Sequence, residues 1–320
     1  MTLHENRLRI LLVALVISTA SAARGADNTD LTRAYLNGYG SDCAFGAAHM
    51  QALRRHNVLL VPGYLSDFDP AYFADHMRWL ASIGVAHQKV AVASGQRIDI
   101  NGAIIAAAIR DSAKPVLLIT HSKGSVDTLD ALLTEPALRK KITGWISLQG
   151  AFFGSPVADK LLDGSVMNPL FAMAILGFFG GTRESAQGLT TAASLKYYRE
   201  RAGAIAQLLR EVPALALASA IDAKPDTAAN TALAMPYELM ARDGIRNDGL
   251  VPLDAAVLPG MDFIKLSGLD HIAPVMPAQQ RYDRVRMTKA LLLALRAPLR
   301  APIGTPVRAP FANLARDAGC

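Results

Sequence analysis

At 320 residues, of which 51% are hydrophobic, the chain can bury a substantial core, and its size suits one large α/β domain or two modest ones. We favour a single domain. The formal net charge of +6 raises the question of nucleic-acid binding, but the basic residues are scattered and form no Lys/Arg run interleaved with aromatic residues. The sequence therefore predicts no nucleic-acid partner, and the charge is weak evidence about any other partner.

The amino terminus carries the features of an export signal. Two arginines precede the apolar run ILLVALVI, and the small residues Ala-Ser-Ala at 20–22 are of the kind that a signal peptidase accepts. The uncharged stretch 10–23 is shorter than the ~18–20 strongly apolar residues that a membrane-spanning helix requires. We therefore predict a signal peptide over residues 1–22 and an exported protein, periplasmic or extracellular.

The following part of the chain alternates short β-rich runs with helical patterns, which is typical of parallel strands joined by crossover helices. In chain order, the predicted elements are strand 57–63, helix 70–84, strand 89–94, helix 101–112, strand 115–120, helix 125–141, and strands at 144–149, 214–220 and 262–268. Most of these strands are continuously apolar, as a sheet covered on both faces requires. The sequence thus predicts one α/β domain over residues 23–296, with a mostly parallel central sheet and helices on both faces.

The turn after the strand at 115–120 has the pattern of a nucleophile elbow. Ser122 stands at its apex, and Gly124 two places later is small enough to let strand and helix pass closely. Thr120, where the pattern G-x-S-x-G has its first glycine, meets that need only in part. In such a turn the hydroxyl is exposed, and the N–H of Lys123 points to where an oxyanion would form. An exposed serine N-cap is the alternative interpretation.

A serine hydroxyl becomes a good nucleophile only when a base removes its proton, so the chain must also supply a histidine. Of its seven histidines, only His271 follows the elbow, as the order Ser, acid, His requires. It lies just past the predicted strand 262–268, where the carboxyl edge of the sheet would place it close to Ser122. A solvated loop histidine is the alternative. His121, the direct neighbour of Ser122, is expected to project away from it.

Several aspartates lie between the elbow and His271, and we predict that Asp248 is the acid. It lies in the turn signal Asn-Asp-Gly, which is followed by an apolar run. A loop could therefore present the carboxylate of Asp248 while the apolar segment after the turn is held in place. Its function would be to accept the Nδ1–H of His271, fix the tautomer and stabilise the imidazolium. A turn aspartate without a catalytic function is the alternative, and Asp222, directly after the predicted strand 214–220, is the second candidate for the acid.

A tetrahedral oxyanion needs a second donor, from the loop after an early strand. The segment VPGYLSDFDP at 61–70 provides such a loop. Gly63 allows the backbone to approach the site closely, and the N–H of Tyr64 is placed by sequence to join that of Lys123. An ordinary turn after a strand is the alternative, since Pro-Gly would produce one in any case.

Together, these segments resemble the α/β-hydrolase family, and within it the bacterial secreted lipases and related esterases. The resemblance covers roughly residues 57–295 and is carried by VLLVPGYLSDFD, with Pro62 in place of the usual His, and by ITHSKGSVD, SLQGAFFGSPVAD and RNDGLVPLDAAVLPG. In some of these lipases an Asp that serves a structural calcium stands two residues after the catalytic His, where this chain has Ala273. We therefore predict no metal, and likewise no cofactor.

The resemblance implies a serine esterase or lipase of the α/β-hydrolase fold, in which an acyl-enzyme forms. Ser122, Asp248 and His271 would form the catalytic triad, and the backbone N–H groups of Tyr64 and Lys123 would bind the oxyanion. The implied partners are hydrophobic ester or lipid substrates, with transient contact at a lipid interface and no stable protein partner. Alternatives that keep the triad are a polyester (polyhydroxyalkanoate) depolymerase and an acyltransferase, and a third is a non-catalytic binding protein on a hydrolase scaffold.

An insertion at about 155–212, between the fourth and fifth predicted strands, is where this family carries a substrate-covering cap. Its apolar stretch PLFAMAILGFFGG (169–181) is long enough for a buried or interfacial helix and too short to span a bilayer, so it lines an acyl pocket or is an ordinary core helix. The Pro- and Arg-rich segment 297–320 is predicted to be an irregular surface extension. Cys43 and Cys320 either form a disulfide or remain unpaired thiols.

Overall fold

The structure is a computed structural model of the 320-residue chain, and it describes residues 28–41, 45–64, 69–163, 183–221, 231–276 and 282–295. Several sequence-based predictions fall outside these residues. They concern the signal peptide 1–22, the apolar stretch 169–181, the extension 297–320, Asp222, Cys43 and Cys320. The boundaries of the single domain and the cap therefore remain predictions.

A six-stranded parallel sheet forms the centre of the fold, with its strands in the order β2-β1-β3-β4-β5-β6. The strands are β1 (Asn57–Val61), β2 (Ala86–Lys89), β3 (Val116–His121), β4 (Ile142–Leu148), β5 (Ala214–Ala220) and β6 (Asp262–Ser267). The chain runs outward from β1 to β2 and then returns to place β3 on the other side of β1. In open parallel sheets, ligands bind at the carboxyl ends of the strands beside such a reversal.

Helices cover both faces of this sheet. They are α1 (Thr32–Gly40), α2 (Ala47–Leu53), α3 (Ala74–Ser82), α4 (Ile98–Asp111), α5 (Lys123–Thr134), α6 (Pro156–Leu162), α7 (Arg183–Gln187), α8 (Thr191–Glu211), α9 (Thr231–Ala241) and α10 (Arg284–Ala294). Successive strand residues point to opposite faces, so Leu59 packs in an apolar cluster with α4, α5 and α8, whereas Leu60 packs in another with α1, α2, α3 and α10. The predicted α/β architecture is confirmed.

One predicted strand, at 89–94, was placed too far along the chain. The strand β2 ends at Lys89, and although the N–H of Val90 still donates to the carbonyl of Leu60 at 2.9 Å, that of Val92 donates back to the carbonyl of Val90 at 2.9 Å. This tight turn takes the backbone off the edge of the sheet. Val90 and Val92 are nevertheless buried in the core. The segment 89–94 is therefore apolar because its valines pack in the core, not because it pairs as a strand.

Two predicted helices also have different limits. The helix predicted at 70–84 begins only at Ala74, because residue Phe73 has a φ of 65° and its N–H donates to the carbonyl of Val275 at 2.9 Å. The helix predicted at 125–141 is two elements, since α5 ends at Thr134 and a 3₁₀ helix follows over Pro136–Lys141. The ring of Pro136 disfavours helical backbone at the residue before it and removes a donor.

The close approach of α5 to β1 depends on Gly124. A Cβ at this position would lie 2.4 Å from the carbonyl oxygen of Pro62 and 2.7 Å from that of Val61, and backbone atoms cannot turn aside as a flexible side chain would. We expect Gly124→Ala to lower the free energy of unfolding, measured in urea, by about 3 kcal/mol.

A matched glycine in another helix provides the control. Gly203 is exposed in α8, and a Cβ there would meet nothing within 4 Å. We expect Gly203→Ala to raise the free energy of unfolding by about 0.5–1 kcal/mol, because alanine restricts the unfolded chain more than glycine does. Equal effects of the two substitutions would contradict a tight contact between α5 and β1.

Candidate active site

Ser122 lies between β3 and α5 in a sharp turn, as the sequence predicted. Its φ of 53° and ψ of −128° are rare for a residue with a side chain, and such a conformation costs about 1–3 kcal/mol. The surroundings hold it in place, because its N–H donates to the carbonyl of Leu148 at 3.0 Å and its carbonyl accepts from the N–H of Ser125 at 3.0 Å. The residue is 9% exposed, so it is largely buried rather than exposed as the sequence pattern suggested.

Thr120, the departure from the glycine pattern, is accommodated by hydrogen bonds. Its side chain is fully buried, and its hydroxyl oxygen accepts from the indole N–H of Trp145 at 3.0 Å. The same hydroxyl lies 2.7 Å from the hydroxyl of Ser125, which also accepts from Ser147 at 2.9 Å. Thr120 is therefore a satisfied part of the core beneath the elbow, and a threonine at this position is compatible with the turn.

The structure brings Ser122, His271 and Asp248 into one hydrogen-bonded chain. Nε2 of His271 lies 2.9 Å from Oγ of Ser122, and Nδ1 of His271 lies 2.8 Å from Oδ2 of Asp248. His271 and Asp248 are 3% and 1% exposed. Ser122 directly follows β3, His271 follows β6, and Asp248 lies between β5 and β6. The parallel sheet brings the carboxyl ends of these strands to one edge.

The hydrogen-bond partners fix the proton positions on His271. The carboxylate of Asp248 can only accept, so Nδ1 carries the hydrogen. Nε2 then has its lone pair directed at Ser122, whose hydroxyl donates to it. In this tautomer the imidazole is a base placed to receive the proton of the serine hydroxyl.

The loop that carries Asp248 is held from both sides. Oδ1 of Asp248 accepts from the N–H groups of Leu250 at 3.0 Å and Val251 at 2.8 Å, which leaves Oδ2 for His271. Gly249, with a φ of 104°, makes the turn that the Asn-Asp-Gly signal predicted. The N–H of His271 donates to the backbone carbonyl of Asp248 at 2.8 Å, so the two loops are joined by main chain as well as side chain.

The segment after β1 lies against the elbow. A Cβ at Gly63 would be 2.8 Å from Cβ of Ser122 and 3.3 Å from the backbone nitrogen of Lys123, so only glycine permits this approach. Tyr64 follows directly and is buried. Lys123 is the first residue of α5, where the N–H has no acceptor within the helix. The two residues predicted to supply oxyanion donors therefore flank Ser122.

His121 packs against the same site, and its contacts were not foreseen from the sequence. Its Nε2 lies 2.8 Å from the backbone carbonyl oxygen of His271 and 3.2 Å from Oε1 of Gln149. Both partners are acceptors, so Nε2 carries the hydrogen and Nδ1 accepts from the hydroxyl of Tyr72. The Tyr72 oxygen in turn accepts from the N–H of Gly63 at 3.1 Å. His121 thus links the loop after β1 to the loop that carries His271.

This link is made by a neutral ring. Burial, with a smaller contribution from the neighbouring His271, holds the pKa of His121 well below its usual range. The expectation that His121 projects away from Ser122 agrees with its contacts to His271, Gln149 and Tyr72. The sequence offered one signal that His121 belongs to the site, namely its position directly before Ser122. It could not identify Tyr72 as the partner of His121.

We expect Tyr72→Phe to destabilise the protein. Loss of the hydroxyl leaves the N–H of Gly63 and Nδ1 of His121 buried without a partner, so the free energy of unfolding in urea is expected to fall by about 2 kcal/mol. Tyr39→Phe is the matched control, because its partly exposed hydroxyl accepts one 3.3 Å bond from the N–H of Asp283. A change within about 0.5 kcal/mol is expected there, and an equally small change for Tyr72→Phe would contradict the link.

Within the described residues, no group of three or more His, Cys, Asp or Glu side chains is arranged to hold a metal ion. The absence of a metal and of a cofactor remains a prediction. Among the same residues, no helix has the length and apolar character needed to cross a membrane.

Comparison of the structure with solved structures gives several similar chains. A metagenomic carboxyl esterase superimposes with a TM-score of 0.57 at 24% sequence identity, covering 74% of this chain and 74% of the esterase. The mature form of a Bacillus licheniformis lipase gives a TM-score of 0.57 at 20% identity, covering 69% of this chain and 86% of the lipase. A phospholipase from Legionella pneumophila gives a TM-score of 0.52 at 16% identity, covering 75% of this chain and 58% of the phospholipase.

No protein-family model matches the sequence, and no curated protein matches it. The identities to the solved structures are low, so the similarity bears on the fold. The structure, with its six-stranded parallel sheet and helices on both faces, matches those structures in overall fold. The chain therefore has the α/β-hydrolase fold and is structurally similar to esterases and lipases that share it.

Proposed function

We propose that this protein is a serine hydrolase that cleaves carboxylic esters through an acyl-enzyme. The observation that carries the proposal is the hydrogen-bonded chain from Asp248 through His271 to Ser122, which joins residues 23 and 149 positions apart in the sequence. An exposed serine N-cap does not account for it, since the Ser122 side chain caps no N–H of α5. A turn aspartate or a solvated histidine does not account for two buried side chains in this order either.

In the proposed acylation step, Oγ of Ser122 attacks the ester carbonyl while Nε2 of His271 removes the hydroxyl proton. A C–O bond forms and the carbonyl π electrons move to oxygen, giving a tetrahedral oxyanion. The N–H groups of Tyr64 and Lys123 donate to this oxyanion, and the carboxylate of Asp248 stabilises the imidazolium. Collapse of the intermediate breaks the bond to the alcohol, which leaves with the proton from His271.

Deacylation repeats these steps with water as the nucleophile. His271 takes a proton from water, hydroxide adds to the acyl carbonyl, and Ser122 leaves with the proton that His271 returns. The acid is released and the enzyme regains its starting state. If an alcohol replaces water in this step, the same site becomes an acyltransferase.

The substrate class that we propose is hydrophobic esters, including lipids. Two observations support it: the apolar stretch in the insertion that precedes β5, seen in the sequence, and the fold shared with a carboxyl esterase, a lipase and a phospholipase. A polyester depolymerase and an acyltransferase use the same triad, so the test must include their substrates.

The test is a substrate panel combined with active-site labelling. We expect the purified protein to hydrolyse p-nitrophenyl esters, and a fluorophosphonate probe to label Ser122. Emulsified triglyceride and polyhydroxyalkanoate are added to the panel, and an alcohol acceptor is added to a parallel reaction to detect transesterification. No labelling and no turnover by a well-folded protein would contradict the proposal and favour a binding protein on a hydrolase scaffold.

We also propose that the protein is exported after cleavage near residue 22. The support is the order of basic residues, apolar run and Ala-Ser-Ala in the amino-terminal sequence. Amino-terminal sequencing of the protein from periplasmic and culture fractions of an expressing bacterium tests this proposal. An intact amino terminus confined to the cytoplasmic fraction would contradict it.

A further inference from the structure

A buried ion pair lies directly beside the elbow. Nζ of Lys123 is 2.8 Å from each carboxylate oxygen of Asp127, one helical turn further along α5, and both side chains are 1% exposed. Nδ2 of Asn101, on α4, donates to Oδ2 of Asp127 at 3.0 Å and to the backbone carbonyl of Ala93 at 3.1 Å. We call Lys123, Asp127 and Asn101 the Lys123 clamp.

The clamp is poorly explained as a device for stability. Removing two charges from water costs free energy, and a buried pair often contributes no more to stability than apolar side chains of the same volume. Lys123 is the first residue of α5, where the positive end of the helix disfavours a cation. The order Lys then Asp at this spacing is also the less favourable of the two orders on a helix. Stability alone therefore does not account for the charges at this place.

The clamp includes Lys123, which supplies one of the proposed oxyanion donors, and it contacts Tyr64, which supplies the other. The backbone N–H of Lys123 is one donor, and its ammonium group lies 5.5 Å from the centre of the Tyr64 ring, over its face. Tyr64 supplies the other donor. Because Lys123 is tied through Asp127 to Asn101, the position of the first turn of α5 is coupled to the Tyr64 loop and to α4.

We infer that the Lys123 clamp positions the two oxyanion donors relative to Ser122. This inference rests on the proposed function, because the donors matter only if a tetrahedral oxyanion forms. The side chains of Lys123, Asp127 and Asn101 are positioning residues: the ammonium is occupied by Asp127 and touches no reacting atom. Donors that stabilise an oxyanion act mainly in the transition state, so a misplaced donor lowers kcat more than it raises KM.

The clamp also gives the site a titrating carboxyl group, that of Asp127. Burial raises the pKa of Asp127 to about 6, even though Lys123 and Asn101 favour the carboxylate, and the nearby Asp130 adds a smaller upward contribution. Among the described residues, four groups face Asp127: Lys123 and Asp130 on α5, the neutral amide of Asn101 on α4, and the hydroxyl of Tyr64 from the loop after β1. Protonation below pH about 6 leaves the Lys123 ammonium without its carboxylate partner.

The decisive variant is the double substitution K123M/D127L. It removes both charges, retains the backbone N–H at position 123, and fills the site with apolar side chains of similar volume, which is the kind of replacement that proteins tolerate. We expect it to fold with a Tm within about 5 °C of the unsubstituted protein. Its kcat for p-nitrophenyl esters is expected to fall about 10–100-fold, with KM changed less than about threefold.

The pH profile provides a readout that a purely structural pair would not change. In the unsubstituted protein, log(kcat/KM) is expected to fall as the pH drops below about 6, because protonation of Asp127 leaves the Lys123 ammonium without its carboxylate partner. In K123M/D127L, which lacks this carboxyl group, the fall that Asp127 causes is expected to be absent. Identical profiles would overturn the inference.

A second ion pair between the same helical regions serves as control. Nη2 of Arg110, on α4, bonds Glu135 at the end of α5 at 2.7 Å, but both side chains are exposed and far along the helices from Ser122. We expect R110Q/E135Q to keep the kcat and the pH profile. A fall in kcat equal to that of K123M/D127L would mean that any loss of contact between α4 and α5 has this effect, and would overturn the inference.

A single substitution keeps the inference testable if the double variant does not fold. Asn101→Ala removes the tie between Asp127 and α4 and leaves the ion pair in place. We expect kcat to fall about 3–10-fold with KM unchanged. Unchanged kcat in a folded clamp variant overturns the inference, whereas an unsubstituted protein without turnover or labelling of Ser122 overturns the proposed function, so the two failures are distinguishable.

Discussion

Replacing Ser122 with alanine is expected to lower kcat/KM for p-nitrophenyl esters by about 10⁴-fold or more and to abolish fluorophosphonate labelling. The variant loses the only oxygen within bonding reach of Nε2 of His271 among the side-chain contacts of the described residues, so no acyl-enzyme can form. The free energy of unfolding is expected to change by less than about 1 kcal/mol, because the serine hydroxyl makes one hydrogen bond and alanine fits the same backbone.

Ser82→Ala is the matched control for this experiment. Its hydroxyl donates to the carbonyl of Trp79 within α3, outside the candidate site, and full activity and labelling are expected. Ser122→Gly adds a test of strain, since glycine adopts a positive φ readily. It is expected to be inactive but about 1 kcal/mol more stable than Ser122→Ala. Ester turnover by Ser122→Ala near the unsubstituted level would reject the serine as nucleophile.

Much of the site could be predicted because its parts are encoded locally. The strand, the turn and the glycine after Ser122 are consecutive in the sequence, and Asn-Asp-Gly encodes its own turn. The position of His271 followed from counting, since it is the only histidine after the elbow. A parallel sheet brings the carboxyl ends of its strands to one edge. The alternation of strand and helix patterns in the sequence was enough to predict such a sheet.

Other features depend on packing between distant segments. The sequence shows Lys123 and Asp127 four residues apart, a spacing that is common on solvated helix faces, and nothing local indicates that both are buried. The partner of His121 comes from a turn 49 residues earlier, where the helix expected from residue 70 is delayed to Ala74. The limit of β2 is set by a turn at Val92, although the apolar pattern continues beyond it.

Asp248→Asn is expected to lower kcat about 10³–10⁴-fold, a loss that is large for a change of one atom. The carboxylate uses Oδ1 to accept from the N–H groups of Leu250 and Val251. An asparagine keeps these two bonds only with its carbonyl oxygen in that place, so its NH₂ group faces Nδ1 of His271. A donor at Nδ1 favours the tautomer with the hydrogen on Nε2, which cannot accept the proton of Ser122.

Asp254→Asn is the matched control, because it makes the same chemical change from carboxylate to amide in the same segment. Asp254 is exposed and pairs with Lys265 at 2.6 Å, a contact of little energetic consequence, so unchanged kcat is expected. The assay is initial-rate hydrolysis of a p-nitrophenyl ester, with the unfolding of each variant measured in urea to exclude loss of structure. Full activity of Asp248→Asn with loss on Asp222→Asn would assign the acid to Asp222, because the order Ser, acid, His admits both residues.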